Sequence, residues 1–349
     1  MATVNLQGLT KRYGAAVAVA GVDLMIEEGE MVALVGPSGC GKTTVLRMIA
    51  GLIEPDAGKV VIGGADVTRA PVHKRNLGLV FQSYALFPHL TVFENIAFGL
   101  RRRGVGDADL RRRVEAVLEL VQLGALAERY PKQLSGGQQQ RIALARSVVT
   151  EPRVLLLDEP LSNLDASLRD EMRVELRRLQ QRLGITTVFV THDQQEALTL
   201  ADRIAVMRAG KIEQLGSPQD VYERPANSFV AGFVGRSNLF DVEVGPDGLC
   251  GPGDIPLLVA GSQPSGTRLR AALRHEKLRL DGAPPEGANS FPAKVLLRAF
   301  AGAQAQYVLQ LDAGPEWLAE GPAHPAILQG ARVTAWFAPE DLILLPKDG

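Results

Sequence analysis

Cysteine is almost missing: Cys40 and Cys250 are the only two in 349 residues. Two are too few for a disulfide framework, and they lack the paired spacing of a metal site. This argues against a small secreted scaffold and for a reducing compartment. No run of 18 consecutive apolar residues occurs, so no membrane-spanning helix is predicted. The opening residues 1–11 lack the charged-then-apolar layout of a signal peptide. An excess of one charge sign is missing too, because 38 basic and 39 acidic residues leave a formal net charge of −1. No broad field then favours nucleic acid or anionic lipid, and partners must be recognised locally. Aromatic residues are scarce at 5%, while 46% hydrophobic and 22% charged residues make an ordinary globular composition. At roughly 100–200 residues per domain the length corresponds to about two domains.

The chain changes character near Arg236, since 12 of the 21 prolines and 13 of the 36 glycines fall in the last 114 residues. A boundary is predicted there, giving domains 1–235 and 236–349. The first part alternates short apolar runs with helical stretches: Met31-Val-Ala-Leu-Val35 then a helix, Val154-Leu-Leu-Leu157 then a helix over 165–183, Thr186-Thr-Val-Phe-Val190 then a short helix. That order predicts an α/β fold with a parallel sheet and crossover helices. Residues 86–152 show helical patterns and no obvious strand, which predicts a helical subdomain inserted into the α/β core. The last part shows short runs parted by Gly/Pro turns, as expected of a small β-barrel. Two segments of it rhyme, Ala272-Leu-Arg-His-Glu-Lys-Leu-Arg-Leu280 and Trp336-Phe-Ala-Pro-Glu-Asp-Leu-Ile-Leu344. The two tryptophans, Trp317 and Trp336, are expected in its core.

Gly36-Pro37-Ser38-Gly39-Cys40-Gly41-Lys42-Thr43 follows a predicted strand and precedes a predicted helix. In that context the glycines let backbone N–H groups turn inward, the helix start adds its positive end, Lys42 supplies a point charge and Thr43 a hydroxyl for Mg²⁺. The product is a cradle for a triphosphate, with Thr44 next in line. Asp158-Glu159 ends a buried strand, at the edge where parallel sheets hold ligands, so Asp158 can reach the shell of Mg²⁺ and Glu159 can polarise an attacking water. Standing alone, the acid pair reads equally well as a cap for the next helix. Ser135-Gly136-Gly137-Gln138 is a capping box opening another helix. Two glycines in a first turn cost roughly 1 kcal/mol each relative to Ala, which makes sense if the backbone must come close to something. The bare N–H groups there offer a second anion site.

These motifs, with Ser162-Asn-Leu-Asp165 and Thr191-His-Asp193, stand in the order and spacing of an ABC transporter ATP-binding subunit, which the whole chain resembles. Residues 1–235 look like the nucleotide-binding P-loop NTPase domain, and 236–349 like the OB-like (TOBE-like) barrel of importers for maltose, polyamines, sulfate and iron. The resemblance implies ATP and Mg²⁺ as ligands and gives Tyr13 the role of stacking on adenine. It makes Gln82 a contact of Mg²⁺ and of the attacking water, and His192 a residue that holds the γ-phosphate and Glu159. It sends Asp165 across to a partner copy, whose site the Ser135 helix completes in a homodimer. The loop reads Ser-Asn-Leu-Asp where many relatives have Ala in place of Asn163.

The implied setting is the cytoplasmic side of a bacterial inner membrane, with two integral-membrane permease subunits, an extracytoplasmic solute-binding protein and no nucleic acid. Residues 67–75 and 81–95 look most like spermidine/putrescine importers, with iron(III), aminophosphonate or sugar import as alternatives. The rival reading is a soluble ABC ATPase outside transport. The barrel is either a regulatory domain or a ligand-free dimer-stabilising appendage.

Overall fold

Met31–Val35 is buried at every position, and in a computed structural model it lies inside a six-stranded sheet rather than at an edge. The structure describes residues 1–246, 248–253, 255–260, 264–280, 282–323 and 327–347. The chain divides into two compact units, Met1–Gln219 and Asp220–Gly349. In chain order the first unit contains strands β1 (Val4–Tyr13), β2 (Ala16–Ile26), β3 (Met31–Val35), β4 (Ala57–Ile62), β5 (Ala65–Asp66), β6 (Leu77–Val80), β7 (Val154–Asp158), β8 (Thr186–Val190), β9 (Arg203–Arg208) and β10 (Lys211–Gly216). Its helices are α1 (Lys42–Ala50), α2 (Val92–Arg102), α3 (Asp107–Leu120), α4 (Gly136–Val148), α5 (Ala166–Leu183) and α6 (Gln194–Leu200).

The main sheet runs β10-β9-β3-β8-β7-β6. Neighbours from β9 to β6 pair in parallel and β10 closes one edge antiparallel. Parallel strands all end on the same side, so the segments after β3, β6, β7 and β8 leave from one edge. Those segments carry the Lys42 loop, Gln82, Glu159 and His192. A second, antiparallel sheet, β2-β1-β4-β5, was not anticipated from the sequence. Val4, Leu6, Val22 and Leu24 from that sheet share one core with Val45, Met48 and Ile49 of α1 and with Leu34, Leu156 and Val188 of the main sheet. Between Val80 and Val154 lie helices α2, α3 and α4 and no strand. They have their own core of Ile96, Leu100, Val114, Leu118 and Ile142, as the inserted helical subdomain requires.

The second unit contains α8 (Ser228–Phe233) and follows α7 (Pro218–Glu223), which straddles the division. Its strands are β11 (Ser237–Gly245), β12 (Gly248–Cys250), β13 (Pro256–Leu257), β14 (Arg268–Arg274), β15 (Asn289–Ala301), β16 (Gln304–Leu311), β17 (Glu316–Pro322), β18 (Arg332–Phe337) and β19 (Leu342–Pro346). They form two antiparallel sheets, β13-β12-β11-β14-β19 and β17-β16-β15-β18, and Arg279, in the connection between β14 and β15, pairs with Trp336 of β18. One apolar core fills the space between them, the arrangement of a small barrel. Phe240 stacks on Trp317 at 5.1 Å between ring centroids, and Phe291 meets the same indole edge-on at 5.7 Å. Both tryptophans are buried, with the Arg279 guanidinium 4.7 Å over the Trp336 ring. The two rhyming segments are both strand ends followed by a single 3₁₀ turn, His275–Lys277 and Pro339–Asp341.

The composition shift at Arg236 lies 16 residues beyond the structural division at Gln219 and Asp220. The reason is Arg274. Its buried guanidinium donates to the carbonyls of Ala231 and Val234 at 2.8 and 2.6 Å and also to Tyr222, tying the α7–α8 stretch to β14. Residues 348 and 349 of the expected second domain lie outside the described residues. Among the described residues no helix is long and apolar enough to cross a membrane.

Candidate active site

The Lys42 loop is built on backbone that only glycine adopts without strain. Gly36 has φ 154° and a Cβ there would sit 2.2 Å from the Met207 carbonyl; Gly41 has φ 108° and would meet the Ala18 carbonyl at 2.4 Å. The loop is therefore clamped between β9 and β2, with no room for a side chain at either glycine. The Lys42 ammonium is held inside it, 2.7 Å from the Gly36 carbonyl and 3.0 Å from that of Pro37, and the thiol of buried Cys40 is 3.7 Å away. Helix α1 begins at Lys42, and no side chain caps its N-terminus. An uncapped helix start beside a fixed ammonium suits a polyphosphate.

Asp158 is buried at the end of β7. Burial pushes its carboxyl above the ordinary range, Arg47 draws it back, neighbouring Glu159 pushes it further up, and a hydrogen bond from Thr43 lowers it. The Arg47 guanidinium lies 4.0 Å away. A desolvated carboxylate touching a threonine hydroxyl is a donor set that fits Mg²⁺, a hard cation satisfied by oxygen ligands.

Glu159 has φ 47°, a left-handed conformation that a non-glycine residue holds only when its surroundings impose it. Its N–H donates to the Val190 carbonyl at 3.0 Å, and its own carbonyl accepts from the Ser162 hydroxyl at 3.0 Å. The turn thus aims the carboxylate away from the sheet. The Gln82 amide donates to Glu159 Oε2 at 3.2 Å, and His192 Nδ1 lies 3.2 Å from the same oxygen. Three residues singled out in the sequence, 33 to 110 positions apart, meet at one atom. The acid pair is not a helix cap: α5 is capped by Asp165, whose carboxylate accepts from the Leu168 N–H at 3.0 Å.

His192 sits between two locked neighbours. The Thr191 hydroxyl donates to Glu196 at 2.6 Å, and Asp193 caps α6 while pairing with buried Arg173 at 2.8 Å. Gln82 begins a segment held by two helices of the insert. Asn95 of α2 exchanges hydrogen bonds with both backbone groups of Phe87, and Arg146 of α4 donates to the carbonyls of Tyr84 and Ala85 at 2.8 and 2.7 Å. None of Arg47, Asn95, Arg146 and Arg173 was singled out from the sequence. An arginine on a helix offered no local signal; only Asp193 followed by Glu196 hinted at a cap worth fixing.

The remaining residues are not drawn together. Ser135 and Gln138 form the reciprocal capping box at the start of α4, at 3.3 and 3.0 Å. Among the described residues no hydrogen bond or ion pair joins this turn to Lys42, Asp158 or Glu159. The close approach inferred for the two glycines has partners within the chain: a Cβ on Gly137 would press on the Leu168 side chain at 3.0 Å, and one on Gly136 would touch Leu164 at 3.4 Å. Gly136 is exposed. Tyr13 is 52% exposed and pairs with Ala16, at the tip of the hairpin whose Ala18 carbonyl abuts Gly41. Asp165 is exposed beyond its cap.

The family pattern for ABC transporters matches residues 19–162, and that for the TOBE domain matches 271–345. The spermidine/putrescine import ATP-binding protein PotA of Methylococcus capsulatus is 48% identical, over 99% of this chain and 92% of that protein. The Fe(3+) ions import ATP-binding protein FbpC of Rhizobium etli is 44% identical, over 98% and 97%. Among solved structures, a dimeric ATP-binding cassette in a post-hydrolysis state bound to ADP and Pi superposes with TM-score 0.55 at 34% identity, covering 62% of this chain and 98% of that one.

Proposed function

We propose, given that this chain belongs to the ABC transporter family of import ATP-binding proteins, that it hydrolyses ATP to drive uptake of a small solute through partner membrane subunits. The observation that carries the reading is the meeting of Gln82 and His192 on Glu159 Oε2, at the sheet edge that also bears the Lys42 loop. Lys42 and the uncapped start of α1 bind the phosphates. Thr43, Asp158 and Gln82 hold Mg²⁺, which when bound neutralises phosphate charge. Glu159 accepts a proton from water as it attacks, while Gln82 and His192 keep the carboxylate from turning away. Such chemistry asks for positioning and charge stabilisation more than for covalent work.

The site is open: the His192 side chain is 61% exposed and Tyr13 52%. Bulk solvent beyond the attacking water weakens the charge stabilisation such a site relies on, so a second surface has to cover it. The Ser135 turn, exposed at Ser135 and Gly136 and with its hydroxyl committed to the cap, supplies that cover from a second copy. Tyr13 stacks on adenine and Asp165 crosses between copies.

The subunit works on the cytoplasmic face of the membrane, with two permease subunits and an extracytoplasmic solute-binding protein. A polyamine such as spermidine or putrescine is the favoured solute, from the names of relatives matched over nearly the whole chain; iron(III) is second. Uptake of radiolabelled putrescine and of ferric iron in a strain lacking this chain tests the assignment. Loss of putrescine uptake alone is expected, restored by the wild-type chain and not by Glu159→Gln. Loss of iron uptake alone would select the second solute. Unchanged uptake of both, with the chain recovered away from membranes, would end the transport reading.

A further inference from the structure

Asn163, in the middle of the Ser162–Asp165 loop, turns its side chain toward Gln82. Its Nδ2 donates to the backbone carbonyl of Gln82 at 2.7 Å. The loop bearing it is fixed at both ends, by the Ser162 hydroxyl on the Glu159 carbonyl and by Asp165 on the first turn of α5. On the other side of Gln82, Arg146 grips the carbonyls of Tyr84 and Ala85, which have φ 61° and 47°. The Gln82 side chain itself is exposed and long, with three rotatable bonds to freeze, and it reaches Glu159 at only 3.2 Å. Left to itself, such a side chain spends little time in one geometry.

We propose that Asn163 is a positioning residue for hydrolysis. It anchors the Gln82 backbone so that the Gln82 amide stays on Glu159. The same loop ends at Asp165, so this hydrogen bond links Gln82 to the start of α5. This rests on the hydrolytic reading above, in which Gln82 steadies Glu159. A hydrogen bond that served local order alone would leave turnover unchanged.

The two are separated by steady-state kinetics and melting of the full chain, with Lys42→Ala as reference. Asn163→Ala is expected to lower kcat about fivefold, the equivalent of about 1 kcal/mol, with KM for ATP and melting temperature unchanged. In a Gln82→Ala background, Asn163→Ala should lower kcat no further, because its effect runs through Gln82. An unchanged kcat in the single variant, or a fivefold loss that persists without the Gln82 side chain, overturns the inference while Lys42-dependent turnover of the wild type upholds the hydrolytic reading. Absence of Lys42-dependent turnover in the wild type overturns both.

Discussion

Asp158 is held at a cost. Its carboxyl is raised by burial, so the folded chain binds a proton there more tightly than the unfolded one does. Stability is complete below the ordinary carboxyl value of 3.8 and is lost as pH rises through the higher folded value. At neutral pH the ionised, ligand-free site is therefore destabilising. Asp158→Asn should raise the melting temperature of the nucleotide-free chain by about 2–4 °C, in line with the roughly 1 kcal/mol commonly recovered by relieving a functional site. It should also remove Mg²⁺-dependent turnover. A lower melting temperature in calorimetry would mean that the contacts with Arg47 and Thr43 outweigh desolvation.

The residues of this site were legible where chemistry is written into consecutive positions. Gly36 to Thr43, Ser135 to Gln138 and Asp158-Glu159 each shape their own backbone. Arg173 and Asn95 were not, because their partners Asp193 and Phe87 become neighbours only after folding.

Among the elements, β3, β7 and β8 were plain because each is a continuous apolar run buried on both faces. Strands β1 and β2 were missed. They alternate buried with exposed positions, and their pairing shifts register between Leu6 and Leu9 and between Lys11 and Arg12, which blurs a period-two pattern. At the junction of α8 and β14, Arg274→Met is expected to destabilise the second unit by about 3 kcal/mol, the usual cost of stranding several buried acceptors. The only tryptophans, Trp317 and Trp336, lie in that unit, so thermal unfolding followed by their fluorescence reads it selectively. A transition unchanged from wild type would show that Ala231, Val234 and Tyr222 find other donors.

His275 belongs to the same junction. Burial draws its pKa below the ordinary 6.5, and its Nε2 is buried without a hydrogen-bond partner. Adjacent Glu276 and Glu320 pull the value up, while Arg236 and Arg274 add to the lowering. The neutral form is favoured on folding, so its contribution is present above pH 6.5 and lost as pH falls through the lower folded value. The tryptophan-monitored transition should weaken over that window, and His275→Phe should flatten the slope. An identical slope in the variant would assign it to other groups.

For the whole molecule the testable property is concentration. A site finished by a second copy obeys mass action, so below the dimer dissociation constant a tenfold dilution should cut ATP turnover per chain about tenfold. Ser135→Arg should suppress turnover while leaving nucleotide binding by single chains intact. Turnover per chain that is constant on dilution would assign a complete site to one copy. Proline and glycine density marks a change of character at Arg236, whereas the compact units divide at Gln219 and Asp220, ahead of the stretch that Arg274 of β14 ties down.

Helix α1 starts with nothing to quiet its first amides. Helices α2, α4, α5 and α6 carry their own capping side chain, whereas α1 leaves its first amides open to a bound anion. On the proposed reading a bound nucleotide would complete that helix start and so add to the stability of the folded chain. Depletion of ATP would then loosen the chain as well as idle it.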